Sequence, residues 1–208
     1  MSPPISRYPV PELKSLPTDI RERIEQVQEK AGFVPNVFLA LAHRPAEFRA
    51  FLAYHDALLL KEDSNLKHQQ GSGQGLTKGE REMIIVATSG ANNCLYCVVA
   101  HGAILRVYEK KPLVADQVAV NHRKADITPR QKAMLDFALK VTRTSHEIGD
   151  ADFEALRAHD FNDEDIWDIA GISAFFGLSN RMANVMNLRP NDEFYLMGRV
   201  PRDKKETR

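Results

Sequence analysis

Apolar residues recur at helical spacing along most of the chain, and no stretch alternates between apolar and polar residues as a convincing strand would. This pattern predicts an all-α protein. The predicted helices cover about 18–32, 36–44, 45–59, 78–90, 94–110, 112–121, 129–144, 151–159 and 163–187.

Capping signals sharpen several of these helix boundaries. Thr77 followed by Glu80 predicts a capping box, and Thr128 followed by Gln131 predicts a second one behind a helix-starting proline. Further N-cap residues are predicted for three helices at Thr18, Asn93 and Asn162.

These elements suggest one domain with two appendages. Residues 1–17 hold five prolines and are predicted to form an extended arm. Residues 18–195 form a single all-α domain, with an active half at about 77–110 and a degenerate second half at about 128–190. Residues 196–208 form a basic C-terminal tail.

The division into two halves rests on a weak internal sequence similarity between them. Glu82 lies twelve residues before Cys94, and Asp168 lies twelve before Asn180, each across an apolar helix and a small-residue break. One interpretation is a duplicated helical hairpin in which only the first copy kept reactive groups.

Composition argues against several classes of partner. The 28 basic and 28 acidic residues balance, which removes the main sequence argument for a nucleic acid or an anionic membrane. No segment approaches the ~20 apolar residues of a membrane span. The first residues lack the apolar core of a signal peptide, so a cytoplasmic location is predicted.

The chain concentrates its chemistry in Cys94-Leu-Tyr-Cys97-Val-Val-Ala-His101, which contains both of its cysteines. In a reducing compartment such a pair is more plausibly catalytic or metal-binding than a structural disulfide. On a helix the three side chains share one face. A position in the first turn lowers thiol pKa through the helix dipole. The pattern therefore predicts a redox-active dithiol, with His101 placed to take a proton from Cys97 and Glu82 placed to orient the imidazole.

Two other interpretations of the motif stay open at this point. Both cysteines could be small buried hydrophobic residues. Cys94, Cys97 and His101 could also bind zinc with Glu82, although structural zinc sites commonly use two separated pairs of ligands. The remaining histidines have no comparable neighbours in the sequence and are interpreted as structural or surface residues; they are His43, His55, His68, His122, His146 and His159.

The spacing of Glu82, Cys94, Cys97 and His101 resembles the signature of the alkylhydroperoxidase D and carboxymuconolactone decarboxylase superfamily. Two flanking segments resemble its peroxidase-related branch. They are Gly32-Phe-Val-Pro-Asn-Val-Phe-Leu-Ala with His43-Arg-Pro, and Phe175-Phe-Gly-Leu-Ser-Asn-Arg. Together these motifs anchor the resemblance from about residue 18 to 195.

The resemblance implies a helical fold that assembles into a homo-oligomer: a dimer, trimer or hexamer. It implies that Cys97 is the peroxidatic thiolate, that Cys94 resolves its sulfenic acid as a disulfide, and that His101 supported by Glu82 activates Cys97. The expected partners are a hydroperoxide substrate and a dithiol reductant protein. No cofactor or metal is expected.

The sequence departs from the family's best-studied branch at Tyr96. That branch carries a second histidine at this place, in the proton relay, whereas a phenol with a pKa near ~10 is a poor base at neutral pH. Tyr96 remains a candidate proton-relay or substrate-adjacent residue. The decarboxylase branch fits less well, because its members typically lack the dithiol.

The sequence-based prediction is thus a thiol-dependent peroxidase. The alternatives are a general disulfide oxidoreductase and a redox sensor with low peroxidase activity. Candidates for lining an apolar substrate pocket near the dithiol are Phe33, Phe38, Phe51 and Trp167.

Overall fold

A computed structural model describes residues 4–60 and 75–199. Within these ranges the chain forms α-helices and short 3-10 turns without any β-strand, so the predicted all-α class is confirmed. The predictions for His68 and for the basic tail beyond residue 199 lie outside the described residues. The helices are α1 (Thr18–Ala31), α2 (Asn36–Leu41), α3 (Pro45–Leu59), α4 (Lys78–Ala91), α5 (Leu95–Glu109), α6 (Val114–Asn121), α7 (Pro129–Thr144), α8 (Asp150–Arg157), α9 (Asp163–Met186) and α10 (Glu193–Leu196).

Helix α4 lies at the centre of the fold and packs against α5, α6, α7 and α9. Every residue from Gly79 to Ser89 is buried, as expected of a helix surrounded by others on all sides. The close packing continues to its last turn. A Cβ atom at Gly90 would lie 2.4 Å from the carbonyl oxygen of Ala119, so only glycine fits where α4 meets α6.

The predicted capping boxes fix the starts of two core helices. The Thr77 hydroxyl accepts the Glu80 N–H at 3.1 Å, and the Glu80 carboxylate accepts the Thr77 N–H at 3.0 Å. Thr128 and Gln131 form the same reciprocal pair at the start of α7. Asn162 caps α9 as predicted. These caps were identifiable because their partners lie three residues apart in the sequence.

Two predicted caps are wrong. Thr18 is the first residue of α1 and its side chain makes no capping hydrogen bond; Pro17 occupies the N-cap position. Asn93 does not cap α5, because its φ of 51° places it in the left-handed region that asparagine tolerates. The N-cap of α5 is instead Cys94, whose sulfur accepts the N–H of Cys97.

The N-terminal segment is tied to the C-terminal end of the domain. The Ile5 carbonyl accepts the Arg189 N–H at 3.0 Å, and Arg7 donates its N–H to the Met186 carbonyl at 2.8 Å. Asn36 donates from its side chain to the Arg189 carbonyl, and the Asn191 side chain accepts the Asn36 N–H. These contacts join the N-terminal segment and the start of α2 to the end of α9 and the chain that leads to α10.

Helix α9 is continuous from Asp163 to Met186. The small-residue break expected between Asp168 and Asn180 is therefore not a helix boundary, whereas α4 and α5 are separate helices joined at Asn92 to Cys94. The proposed duplication remains a prediction. Among the described helices, none is both long enough and apolar enough to cross a membrane.

Candidate active site

A cavity of about 380 Å³ lies between the N-terminal helices and the start of α5. Its size is within the range typical of small-molecule sites. Apolar side chains from both ends of the chain dominate the lining, among them Phe33, Phe38, Phe51, Phe176, Phe194 and Met197. The polar side chains that also line it belong to Lys30, His55, Tyr96, Cys97, His101, Tyr108 and Ser179. A cavity lined mainly by apolar side chains is suited to binding a mainly apolar molecule.

The structure places the two cysteines in the first turn of α5. Both are free thiols, with only 1% of Cys94 and 3% of Cys97 exposed. As the N-cap residue, Cys94 accepts the backbone N–H of Cys97 at an N–S distance of 3.5 Å. Cys97 lines the cavity and Cys94 does not. The two sulfurs are therefore neighbours with different access to the cavity.

Hydrogen bonding within the pair separates the acidities of the two thiols. The Cys97 thiol donates toward the Cys94 sulfur and lowers the pKa of Cys94 to about 7; the Cys97 backbone N–H acts in the same direction. The same bond, together with burial, raises the pKa of the Cys97 thiol above its ordinary value. In the resting pair one negative charge rests mainly on Cys94 while Cys97 keeps its proton.

Glu82 and His101 meet across the α4–α5 hairpin, as the sequence suggested. His101 Nδ1 lies 2.8 Å from Glu82 Oε2, and both side chains are largely buried. A carboxylate at this distance accepts a hydrogen bond, so Nδ1 carries the proton and Nε2 of a neutral imidazole is left as an acceptor. The imidazole also packs edge-to-face against Phe176 at 4.8 Å. Its orientation is thus fixed from two sides.

The three residues of the charged cluster Glu80-Arg81-Glu82 make separate contacts. Glu80 completes the cap of α4 and accepts a hydrogen bond from Arg130 at 2.6 Å. Arg81 donates to the carbonyl of Leu59 at 3.4 Å. Glu82 is therefore the acidic residue of this cluster that faces the histidine.

Tyr96, a candidate proton-relay or substrate-adjacent residue in the sequence analysis, lines the cavity. Its ring is 5% exposed, and its hydroxyl accepts the Val37 N–H at 3.2 Å. Burial raises the pKa of Tyr96 above its ordinary value, so the phenol stays protonated at neutral pH. The side chain links α5 to α2 and is not arranged as a base.

Two polar residues of α9 that the sequence analysis did not assign as site residues lie at the dithiol. Asn180 is fully buried; it donates to the Ser89 hydroxyl at 2.9 Å and accepts from Asn92 at 3.0 Å. It also lowers the pKa of both thiols by hydrogen bonding, and Ser179 does so for Cys97. The sequence echo that aligned Asn180 with Cys94 was the available signal.

The predictions for residues farther from the motif had mixed outcomes. Phe33, Phe38 and Phe51 line the cavity, but Trp167 does not, since it lies on the outer face of α9 with 74% of its surface exposed. The interpretation of His55 as merely structural or surface is not sufficient, because α3 brings it into the cavity lining.

No group of three or more metal-binding side chains is arranged to hold an ion within residues 4–60 and 75–199. The residues that zinc would need are instead engaged with one another, in a cysteine pair and a histidine–glutamate pair.

Comparison with known proteins agrees with the fold and the motif. The model of the carboxymuconolactone decarboxylase family matches residues 45–120. The alkylhydroperoxidase AhpD core of an uncharacterized peroxidase-related protein from Ralstonia eutropha JMP134 is 75% identical, with a TM-score of 0.89; the match covers 96% of this chain and 100% of that one. An uncharacterized peroxidase-related protein from Silicibacter sp. TM1040 is 41% identical, with a TM-score of 0.83, over 93% and 96% of the two chains.

A more distant similarity extends only to the fold. The debrominase Bmp8 in its apo form is 17% identical with a TM-score of 0.69, over 94% of this chain and 96% of that one. The comparison with curated proteins gives no significant match. On the identity and coverage of the two peroxidase-related structures, the chain belongs to the carboxymuconolactone decarboxylase family, among its alkylhydroperoxidase D-like, peroxidase-related members.

Proposed function

We propose that the protein is a thiol-dependent peroxidase that reduces organic hydroperoxides through a dithiol–disulfide cycle of Cys94 and Cys97. One observation carries this proposal: Cys97 and His101 line the same apolar cavity, and Glu82 holds the His101 imidazole from behind. An alkyl or aryl hydroperoxide in that cavity meets a thiol and a proton acceptor together, away from bulk water.

In the first step Cys97 attacks the peroxide. His101 Nε2 takes the thiol proton, and Glu82 stabilises the imidazolium that forms. The thiolate donates an electron pair to the terminal peroxide oxygen, the O–O bond breaks, and the alkoxide takes the proton from His101. The products are a Cys97 sulfenic acid and an alcohol.

The charge distribution of the resting pair favours Cys94 as the attacking sulfur. Access of the peroxide to the sulfur favours Cys97 instead, because Cys94 does not line the cavity and is 1% exposed. We give access more weight, since a peroxide must contact the sulfur that it oxidises. Because Cys97 holds its proton in the resting pair, His101 has to remove that proton before Cys97 can attack.

In the second step Cys94 resolves the intermediate. With a pKa of about 7, Cys94 is substantially a thiolate at neutral pH. It attacks the sulfur of the Cys97 sulfenic acid, hydroxide leaves as water after protonation, and the disulfide forms. A dithiol protein then reduces this disulfide by exchange. The three-residue spacing keeps the two sulfurs adjacent throughout.

A general disulfide oxidoreductase is the second candidate, and the lowered pKa of Cys94 favours it. It leaves the apolar cavity at Cys97 without a use, because exchange with a protein disulfide does not need such a cavity. A small organic hydroperoxide does use the cavity, which favours the peroxidase.

Self-association is also part of the proposal. The outer face of α9 exposes four large apolar side chains, those of Trp167, Leu178, Met182 and Val185. Covering such a face with a second copy removes apolar surface from water. We therefore propose a homo-oligomer that uses α9.

Turnover with a chemical dithiol tests the proposed function. Dithiothreitol and cumene hydroperoxide are mixed with the protein, and loss of peroxide is followed together with formation of oxidised dithiothreitol. The expected result is catalytic consumption in a one-to-one ratio by the wild type, and background consumption by the Cys94→Ser/Cys97→Ser double variant. Equal rates for the two proteins would exclude a peroxidase and favour the oxidoreductase or sensor.

A further inference from the structure

His55 is a titratable side chain of the cavity that the peroxidase mechanism above does not use. It comes from α3, which packs against α9. It lines the main cavity together with Cys97 and His101, and it also lines a neighbouring cavity of about 300 Å³ together with His101 and Glu82. The two imidazoles therefore lie at the boundary between these cavities.

The contacts of His55 parallel those of His101. His55 Nδ1 lies 3.0 Å from Asp56 Oδ1, and Asp56 is held by Arg23 at 2.8 Å. A carboxylate at this position keeps the proton on Nδ1, so the neutral ring presents Nε2 as an acceptor. The ring also contacts Phe175 at a centroid distance of 6.2 Å, and Phe175 packs on Phe176 beside His101.

The protonation state suits an acceptor. Burial lowers the pKa of His55 and outweighs the opposing effect of Asp56. His55 is accordingly neutral at pH 7. Within the described residues its Nε2 atom has no hydrogen-bond partner. An acceptor without a partner, in a cavity with few polar groups, is suited to an O–H donor from a ligand.

We propose that His55 binds the hydroperoxide by accepting its O–H through Nε2, and so directs the terminal oxygen toward Cys97. This inference rests on the proposed function. The O–H proton stays with the terminal oxygen, which becomes the hydroxyl of the sulfenic acid. The thiol proton reaches the alkoxide through His101, so the two histidines handle different protons and the step balances.

The position of His55 is also relevant to the second histidine of the family's proton relay, which this chain replaces with Tyr96. Tyr96 holds the place of that residue and is committed to the Val37 N–H. His55 supplies a second imidazole from a different helix. Its proposed task is to bind the peroxide and not to activate the thiol, which makes the two roles separable by experiment.

Two electrophiles distinguish these roles. Cumene hydroperoxide carries the O–H that His55 would bind, whereas iodoacetamide reports only the reactivity of the thiolate. Rates of Cys97 sulfenic acid formation, trapped with dimedone, and of Cys97 alkylation are measured by mass spectrometry in a Cys94→Ser background, where no disulfide can form. The variants are His55→Phe, which keeps a ring against Phe175, and His55→Gln, which restores an amide acceptor. His43→Phe is the control, because His43 stacks on Tyr8 outside the cavity.

We expect His55→Phe to slow the peroxide reaction roughly tenfold, which is the loss of one hydrogen bond, and to leave alkylation within about twofold of the wild type. His55→Gln should recover part of the rate, and His43→Phe should change neither reaction. An equal loss in both reactions, or an unchanged peroxide rate in both His55 variants, would overturn the inference. If the Cys94→Ser protein forms no sulfenic acid on Cys97 whether or not His55 is replaced, the proposed function fails and the inference fails with it.

Discussion

The two walls of the cavity are built in opposite ways. The reactive wall, comprising Cys97, His101 and the supporting Glu82, comes from one hairpin of consecutive helices, α4 and α5. The apolar wall includes Phe33 before α2 and Phe194 in α10, whose rings meet edge-to-face at 5.0 Å although they lie at opposite ends of the chain. The reactive wall fixes the chemistry, and the apolar wall selects what can reach it.

The largest effect should come from the reactive wall. His101→Ala removes the proposed proton acceptor, and we expect oxidation of Cys97 by cumene hydroperoxide to fall at least about a hundredfold, as is typical of lost general acid–base catalysis. Glu82→Gln should cause a smaller loss, because the imidazole remains but its imidazolium is less stabilised. Stopped-flow measurement of a single turnover gives both rates.

The matched control for this prediction is a second histidine–carboxylate pair outside the cavity. His122 Nε2 lies 2.8 Å from Asp136 Oδ1, the same distance as in the active pair. His122→Ala should leave the peroxide rate unchanged. A comparable loss in the His101 and His122 variants would mean that disturbed packing and not proton transfer limits the rate.

The apolar wall should affect selectivity and not chemistry. Phe33→Ala removes a ring from the cavity, and we expect the KM for cumene hydroperoxide to rise roughly tenfold while the rate with hydrogen peroxide stays nearly constant. Hydrogen peroxide has no apolar group to place against this wall. Steady-state kinetics with the two peroxides measures the difference.

Phe153→Ala is the control for the apolar wall, since Phe153 packs against Phe137 at 5.9 Å and lies outside the cavity lining. Equal losses with both peroxides in Phe33→Ala would show that the two walls are not separate in function.

The smallest expected effect is a change in the pH at which Cys94 becomes reactive. A lowered thiol pKa means that the reactive thiolate appears at lower pH. Alkylation of Cys94 should therefore rise with pH around a midpoint of about 7. Cys97→Ala removes the thiol that donates to Cys94, so the midpoint should move upward, toward the ordinary value of 9.0.

Alkylation at a series of pH values, followed by mass spectrometry, locates both midpoints. An unchanged midpoint in Cys97→Ala would mean that the backbone N–H and the helix start, and not the partner thiol, determine the acidity of Cys94.

The reactive wall could be predicted from the sequence because its residues are linked by short helical spacings. Glu82 and His101 belong to consecutive helices whose boundaries were marked by a capping box and by the dithiol itself. The Asn93 cap was wrong for a local reason: its positive φ passes the capping role to Cys94. Helix periodicity does not encode that single backbone angle.

The apolar wall and the groups from α3 and α9 could be predicted only in part. Phe33, Phe38 and Phe51 were candidates as aromatic residues, but Trp167 was a candidate of the same kind and is exposed. His55 and Asn180 reach the site through tertiary packing; the sequence held no signal for His55, and for Asn180 only its alignment with Cys94. Short-range patterns carry no information on such contacts.

We propose that Cys97 is the sulfur that the peroxide oxidises, despite the greater acidity of Cys94. The most direct test of this proposal treats the Cys94→Ser and Cys97→Ser variants with one equivalent of cumene hydroperoxide in the presence of dimedone and reads their masses. We expect a rapid dimedone adduct on Cys97 in the Cys94→Ser variant and little or none on Cys94 in the Cys97→Ser variant. A faster adduct on Cys94 would contradict it and assign the attack to the more acidic thiol.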